Sequence, residues 1–157
     1  MEKSKTCCFT GHRRLPKEKI KQIIIRLNQE VDNLISQGVT DFISGGALGF
    51  DQIAASLIVA KKEMGHDIRL IFALPCRNQD ELWSAKQKEL YHGLLGEADV
   101  IIYVSEDYTD GCMKKRNHYM VNRSGYCICA QLYPASGTAQ TVKYARERKL
   151  KNINIIK

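Results

Sequence analysis

Between Phe42 and Ala60 the chain reads FISGGALGFDQIAASLIVA. An apolar run enters Gly45, Gly46 and Gly49, passes Asp51 and continues with helical periodicity. Glycines let a backbone come close to a ligand, and a helix N-terminus presents unpaired N–H groups with partial positive charge. The stretch therefore suits an anion such as a phosphate. It is not a P-loop, because no Gly-Lys-Ser/Thr follows, and it misses the G-x-G-x-x-G spacing of dinucleotide sites. Asp51 is a poor neighbour for a phosphate; it either accepts a hydrogen bond from a sugar hydroxyl or caps the helix. The plainer alternative is that the glycines only punctuate a turn.

Residues of similar chemistry recur wherever an apolar run ends. Short apolar runs at 6–11, 40–46, 68–75, 99–105, 126–133 and 152–156 read as strands. Between them lie helical patterns: 16–38, with Ile20, Ile23, Ile24, Leu27, Val31, Leu34 and Ile35 as its stripe, then 50–65, 79–96, 113–123 and 137–149. Strict alternation over 157 residues predicts one α/β domain, a mostly parallel sheet with helices on both faces. Ligands in such sheets bind beyond the carboxyl ends of the strands.

That edge collects Thr10, Gly11, His12 and Arg13 after the first strand, and Ser44, Gly45, Gly46, Ala47, Gly49 and Asp51 after the second. Pro75 and Gln79 follow the third, with Trp83 one turn into the next helix. Asp107 and Asp110 follow the fourth, Arg116 and Asn117 sit on the basic helix, and Ser136, Gly137 and Thr138 follow the fifth. Hydroxyls, amides, arginines and helix N-termini suit a phosphate plus a sugar. Arg13 and Arg116 are read as phosphate contacts, the plainer alternative being surface arginines, which suits Arg14 better than either. His12 is either a general base or a loop histidine that donates to a phosphate or to the backbone, and the second reading is preferred. Trp83 stacks on a base or belongs to the core, as do Tyr103, Tyr108 and Tyr119.

The net charge of +7 is unevenly spread: residues 1–22 carry +5, 23–113 carry −7, 114–123 carry +4 and 143–157 carry +5. Such a field attracts anionic ligands or nucleic acid. Six cysteines, at 7, 8, 76, 112, 127 and 129, form no C-x-x-C pair. Cys7 and Cys8 should face opposite sides of a strand, and Cys127 and Cys129 the same side. Two ligands make no metal site, so reduced, buried thiols in a cytoplasmic protein are expected, with no metal and no cofactor. No segment reaches the length of a membrane span or fits a signal peptide. Self-association is left open.

TGHRRL, SGGALGFDQIAA, PCRNQDELW, RNHYMV and SGTAQTVKYA, in this order, resemble the YpsA-like family of the SLOG superfamily. That superfamily also holds the LOG phosphoribohydrolases and the Rossmann-like domain of the DNA-processing protein DprA. The resemblance covers nearly all of residues 1–157. It implies a Rossmann-like αβα sandwich that binds a nucleotide or nucleotide-derived ligand, of the phosphorylated-nucleoside or ADP-ribose type, as a sensor or regulatory module. LOG enzymes cleave the N-glycosidic bond of nucleoside monophosphates with an arginine in R-K-x-x-M and a glutamate closing P-G-G-x-G-T-x-x-E. Arg116 matches the first. PASGTAQTV is one residue shorter before its Gly-Thr than the second and places Thr141 at the glutamate position. A hydroxyl does not balance the positive charge that develops on the sugar, nor act as a base near neutrality. LOG-like hydrolysis is thus the alternative, with Arg116, Asp107 and Asp110 as its catalytic candidates and Glu106 beside them. DprA-like single-stranded nucleic-acid binding is the third reading. It needs a basic groove interleaved with aromatics, and VKYARERKLK supplies only Tyr144.

Overall fold

A computed structural model describes residues 1–156. Its elements are β1 (Thr6–Gly11), α1 (Lys17–Ser36), β2 (Asp41–Ser44), α2 (Phe50–Glu63), β3 (Arg69–Leu74), α3 (Ala85–Leu95), β4 (Val100–Tyr103), α4 (Cys112–Asn122), β5 (Tyr126–Ala130), α5 (Gly137–Glu147) and β6 (Lys151–Asn154). The six strands form one sheet in the order β4-β3-β2-β1-β5-β6, and every neighbouring pair is parallel. The sheet is therefore wholly parallel, and the domain is a Rossmann-like αβα sandwich.

Strand order turns back between β1 and β5. Connections run outward from β1 to β4, then return to β5 on the other side. α1, α2 and α3 consequently cover one face, over a core built on Phe9, Phe42, Phe50 and Phe72. α4 and α5 cover the other face through Met120, Val121, Val142 and Ala145. Cys7 packs under the first group of helices and Cys8 under the second, with Cys127 and Cys129 sharing the side of Cys8. Their alternation follows from the period-two geometry of a strand. All six thiols are free and buried.

The stripe of α1 buries Ile23, Leu27, Val31 and Leu34, whereas Ile24 stays 41% exposed. α3 begins at Ala85, not at Gln79. Ser84 is its N-cap: its hydroxyl accepts from Gln87 N–H at 3.1 Å, and Gln87 Oε1 accepts from Ser84 N–H at 2.9 Å. This capping box starts the helix there. The preceding residues fold as turns, with Glu81 N–H on Asn78 C=O and Trp83 N–H on Asp80 C=O. Trp83 thus precedes the helix and packs edge-on against Tyr91, centroids 5.0 Å apart. β5 ends at Ala130 rather than at 133.

Gly49 fixes how α2 leaves the sheet. Its φ is +82°, and an added Cβ would collide with the backbone carbonyls of His12 and Arg13. The loops after β1 and β2 are thereby pressed together, and Phe50 N–H donates to His12 C=O at 3.1 Å. Gly49→Ala should destabilise by about 1–3 kcal/mol or more through strain alone, with the overlap added. Gly93→Ala, in a helix with open space around the new methyl, should stabilise by roughly 0.5–1 kcal/mol. Urea unfolding of both variants checks the pair; equal midpoints would contradict the packing described here.

Candidate functional site

The point where strand order reverses is where ligands enter such sheets, and a cleft of about 430 Å³ opens there. Of the expected residues, Thr10, Gly11, His12, Arg13, Ala47, Asp51, Arg116, Asn117, Gly137 and Thr138 line it. Ser44, Gly45, Gly46, Gly49, Pro75, Gln79 and Ser136 stand behind or beside it and do not line it. Neither do the exposed Asp107 and Asp110.

Those supporting residues hold the loop after β2. Ser44 Oγ donates to Asp51 C=O at 2.9 Å and accepts from Gly46 N–H at 3.2 Å. Asp51 Oδ2 accepts from Ala47 N–H at 3.3 Å. Gln52 Nε2 donates to Gly46 C=O at 3.2 Å. Gln79 Nε2 reaches Gly45 C=O at 3.5 Å and donates to Tyr91 Oη at 3.1 Å. The N–H groups of Gly46 and Ala47 are therefore engaged inside the loop rather than turned outward. A Cβ on Gly46 would press on Leu74 and Tyr91, in the core and away from the cleft. Pro75 is buried, and its carbonyl accepts from Ser105 N–H at 3.1 Å, tying the ends of β3 and β4 together.

Arg116 comes from the far side. Its guanidinium crosses from α4 and donates from Nη1 to Gly45 C=O at 2.6 Å and from Nε to Asn117 Oδ1 at 2.9 Å. Nη2 meets only Met113 Sδ, at 3.6 Å, and a thioether is a weak acceptor. The side chain is buried, and among the described residues no carboxylate lies within 4.0 Å of it. A Cβ on Gly45 would strike both Arg116 and Asp51, so glycine is what lets the two flank one backbone position. Burial pushes Asp51 up to about 6, against the opposing pull of Arg116, the Ala47 N–H and Arg13. Burial also lowers the pKa of Arg116, with Asp51 working against that.

The remaining wall comes from β1 and α5. Thr10 and Thr138 are both buried on the cleft. Ser136 caps α5, accepting from Ala139 N–H and donating to Tyr133 C=O, each at 3.1 Å. His12 accepts on Nε2 from Leu132 N–H at 2.9 Å and lies 4.8 Å from the Tyr133 ring. Burial lowers its pKa. It is thus a neutral acceptor from the backbone, where donation was expected, and its Nε2 is taken. Phe9, Tyr108, Met113 and Met120 complete the lining. Met113, Arg116, Asn117 and Met120 stand at i, i+3, i+4 and i+7, one face of α4, and that spacing is the signal that could have found both methionines. Among the described residues no cluster of three or more His, Cys, Asp or Glu side chains suits a metal ion. No described helix is long and apolar enough to cross a membrane.

The model of the YspA SLOG family matches residues 7–156. The chain belongs to this YpsA-type SLOG family. It is 32% identical over 144 residues to the uncharacterized SPbeta prophage-derived protein YoqJ of Bacillus subtilis, covering 84% of this chain and 83% of that protein. It is 28% identical over 98 residues to UPF0398 protein BH1768 of Halalkalibacterium halodurans, covering 61% of this chain and 52% of the relative. The DNA processing protein A of Streptococcus pneumoniae superposes with a TM-score of 0.69 at 18% identity, over 94% of this chain and 48% of that one. Its counterpart from Helicobacter pylori, described for a single-stranded DNA binding mode, gives 0.64 at 20% identity, over 94% and 63%. At such identities the likeness is one of fold. In this SLOG chain the glycine-rich turn is closed upon itself by Ser44 and Asp51, and two arginines line the cleft, Arg13 exposed and Arg116 buried.

Asp51 supplies a pH test. Its folded pKa of about 6 lies above the ordinary 3.8, so the folded state keeps a proton that the unfolded chain releases. The contribution of Asp51 to stability is full below about pH 4 and is lost as pH rises to about 6, on the order of 3 kcal/mol for two units. Relative to Asp51→Asn, the wild type should lose that much between pH 4 and 6.5 in urea titrations. A pH-independent difference would contradict the burial of this carboxylate.

Proposed function

We propose that this chain binds a nucleotide or nucleotide-derived ligand of the phosphorylated-nucleoside type in the cleft, and acts as a binding or regulatory module. The observation that carries this reading is the buried Arg116, whose Nη2 has only a thioether for company. A buried cation with no carboxylate in direct contact is costly inside a protein even with Asp51 nearby, and an anionic ligand group offsets that cost. Arg13 adds a second positive charge at the rim, and the N-terminus of α5 adds its partial positive charge. Asp51 and the hydroxyls of Thr10 and Thr138 offer partners for a sugar. A phosphate against Arg116 with its ribose toward Asp51 uses both groups that flank Gly45.

LOG-like hydrolysis is the second reading, and one observation keeps it in view. Asp51 is a carboxylate on the cleft that titrates near 6, in the range useful for acid–base work. It would have to do what the missing glutamate does elsewhere. Thr141 does not serve, since its hydroxyl donates to Gly137 C=O at 2.9 Å. Asp107 and Asp110 do not line the cleft.

AMP at about 100 times its dissociation constant should stabilise the protein by roughly 2.7 kcal/mol, with a matching rise in melting temperature. Free adenine should not. Arg116→Met should abolish the shift. A shift with adenine equal to that with AMP, or an AMP shift that survives in the variant, would sink the assignment of the phosphate to Arg116.

Chromatography of AMP incubated with the wild type should reveal no adenine release above background. Robust release that disappears in Asp51→Asn would replace the binding-module reading with the hydrolytic one.

A further inference from the structure

The cleft does not close at Asn117. Tyr108, Met113, Asn117 and Gly137 line it and also line a second hollow of about 590 Å³ between α4 and α5. Gly137 opens α5 and Glu147 closes it, and both border this hollow. The groove therefore follows the whole helix, about 15 Å at 1.5 Å per residue. Successive phosphates of a stacked strand advance about 3.4 Å, so there is room for more than one nucleotide.

Its walls carry chemistry that a mononucleotide in the cleft leaves unused. His118 lies flat on Tyr144, with ring centroids 3.7 Å apart and planes within 10°. Tyr144 is fixed by a 2.7 Å hydrogen bond from its hydroxyl to Asn122 Oδ1. Two rings held in register form a platform on which a base can stack. Lys114 on α4 and Lys143 on α5 border the groove with exposed ammonium groups, and Glu147, at the end remote from the cleft, is its one acid. Sequence order hides this pairing, because the aromatic partner of Tyr144 comes from α4.

We infer that the ligand carries a second nucleotide unit, seated between α4 and α5, with its base on the His118–Tyr144 pair and its phosphate between Lys114 and Lys143. This inference rests on the reading of the cleft as a nucleotide site. The shared chemistry is a second nucleoside phosphate joined to the first. Its source is either a free dinucleotide or the end of a single strand.

Calorimetry with AMP, the 5′-phosphorylated diadenylate pApA and a 5′-phosphorylated adenylate octamer tests it. pApA should bind about tenfold tighter than AMP, in the range of one stacked base. His118→Ala and Lys143→Ala should each erase most of that margin and leave AMP affinity within about twofold. An octamer no tighter than pApA identifies the free dinucleotide as the source. An octamer that is tighter, with a steeper salt dependence, identifies the strand. Equal affinities for AMP and pApA, or variants that weaken both alike, overturn the second unit and leave the cleft reading standing. Failure of all three ligands to bind overturns both.

Discussion

One hydrogen bond joins the two halves of the site: Arg116 Nη1 to the carbonyl of Gly45, 2.6 Å long and spanning 71 positions of the chain. It fastens α4, on one face of the sheet, to the turn that leads into α2 on the other. Because that turn is already closed internally by Ser44 and Asp51 and braced from outside by Gln79, the guanidinium is held rigidly as well. One of its nitrogens is engaged with the backbone and another is left facing a thioether. The side chain is therefore both a structural strut and a donor with only a weak acceptor on one nitrogen. A buried donor without a good acceptor normally costs about 1–3 kcal/mol, a cost that the proposed ligand anion would offset.

The sheet order makes this convergence geometrically available. With β1 and β5 adjacent at the reversal, the loop after β1, the turn after β2, the side of α4 and the start of α5 all meet above one point. Gly49 brings the first two together by letting the carbonyls of His12 and Arg13 lie against it. The same reversal places α4 beside α5, so the groove between them continues the cleft.

Much of this was legible in the sequence, and what was hidden has physical causes. Alternating apolar runs and helical stripes are local signals, and they gave the order of elements and the parallel sheet. The residues after each strand were readable as one edge, and ten of the expected ones line the cleft. The segment from Gln79 to Ser84 read as helix because its polarity pattern permits one, yet the Ser84–Gln87 capping box starts the helix later. The inward direction of the Gly46 and Ala47 N–H groups depends on Ser44 and Asp51 acting as acceptors, which spacing does not reveal. His12 and Leu132 are 120 positions apart, so the role of that imidazole was set by tertiary contact alone. The raised pKa of Asp51 likewise depends on burial that no local pattern reports.

Everything assigned to the cleft turns on where an anion settles. The direct measurement is crystallographic difference density from crystals equilibrated with AMP. The predicted result is a phosphate within hydrogen-bond distance of Arg116 Nη2, with the ribose toward Asp51. Density for AMP only at other surface sites, with the cleft empty at saturating ligand, would contradict the account.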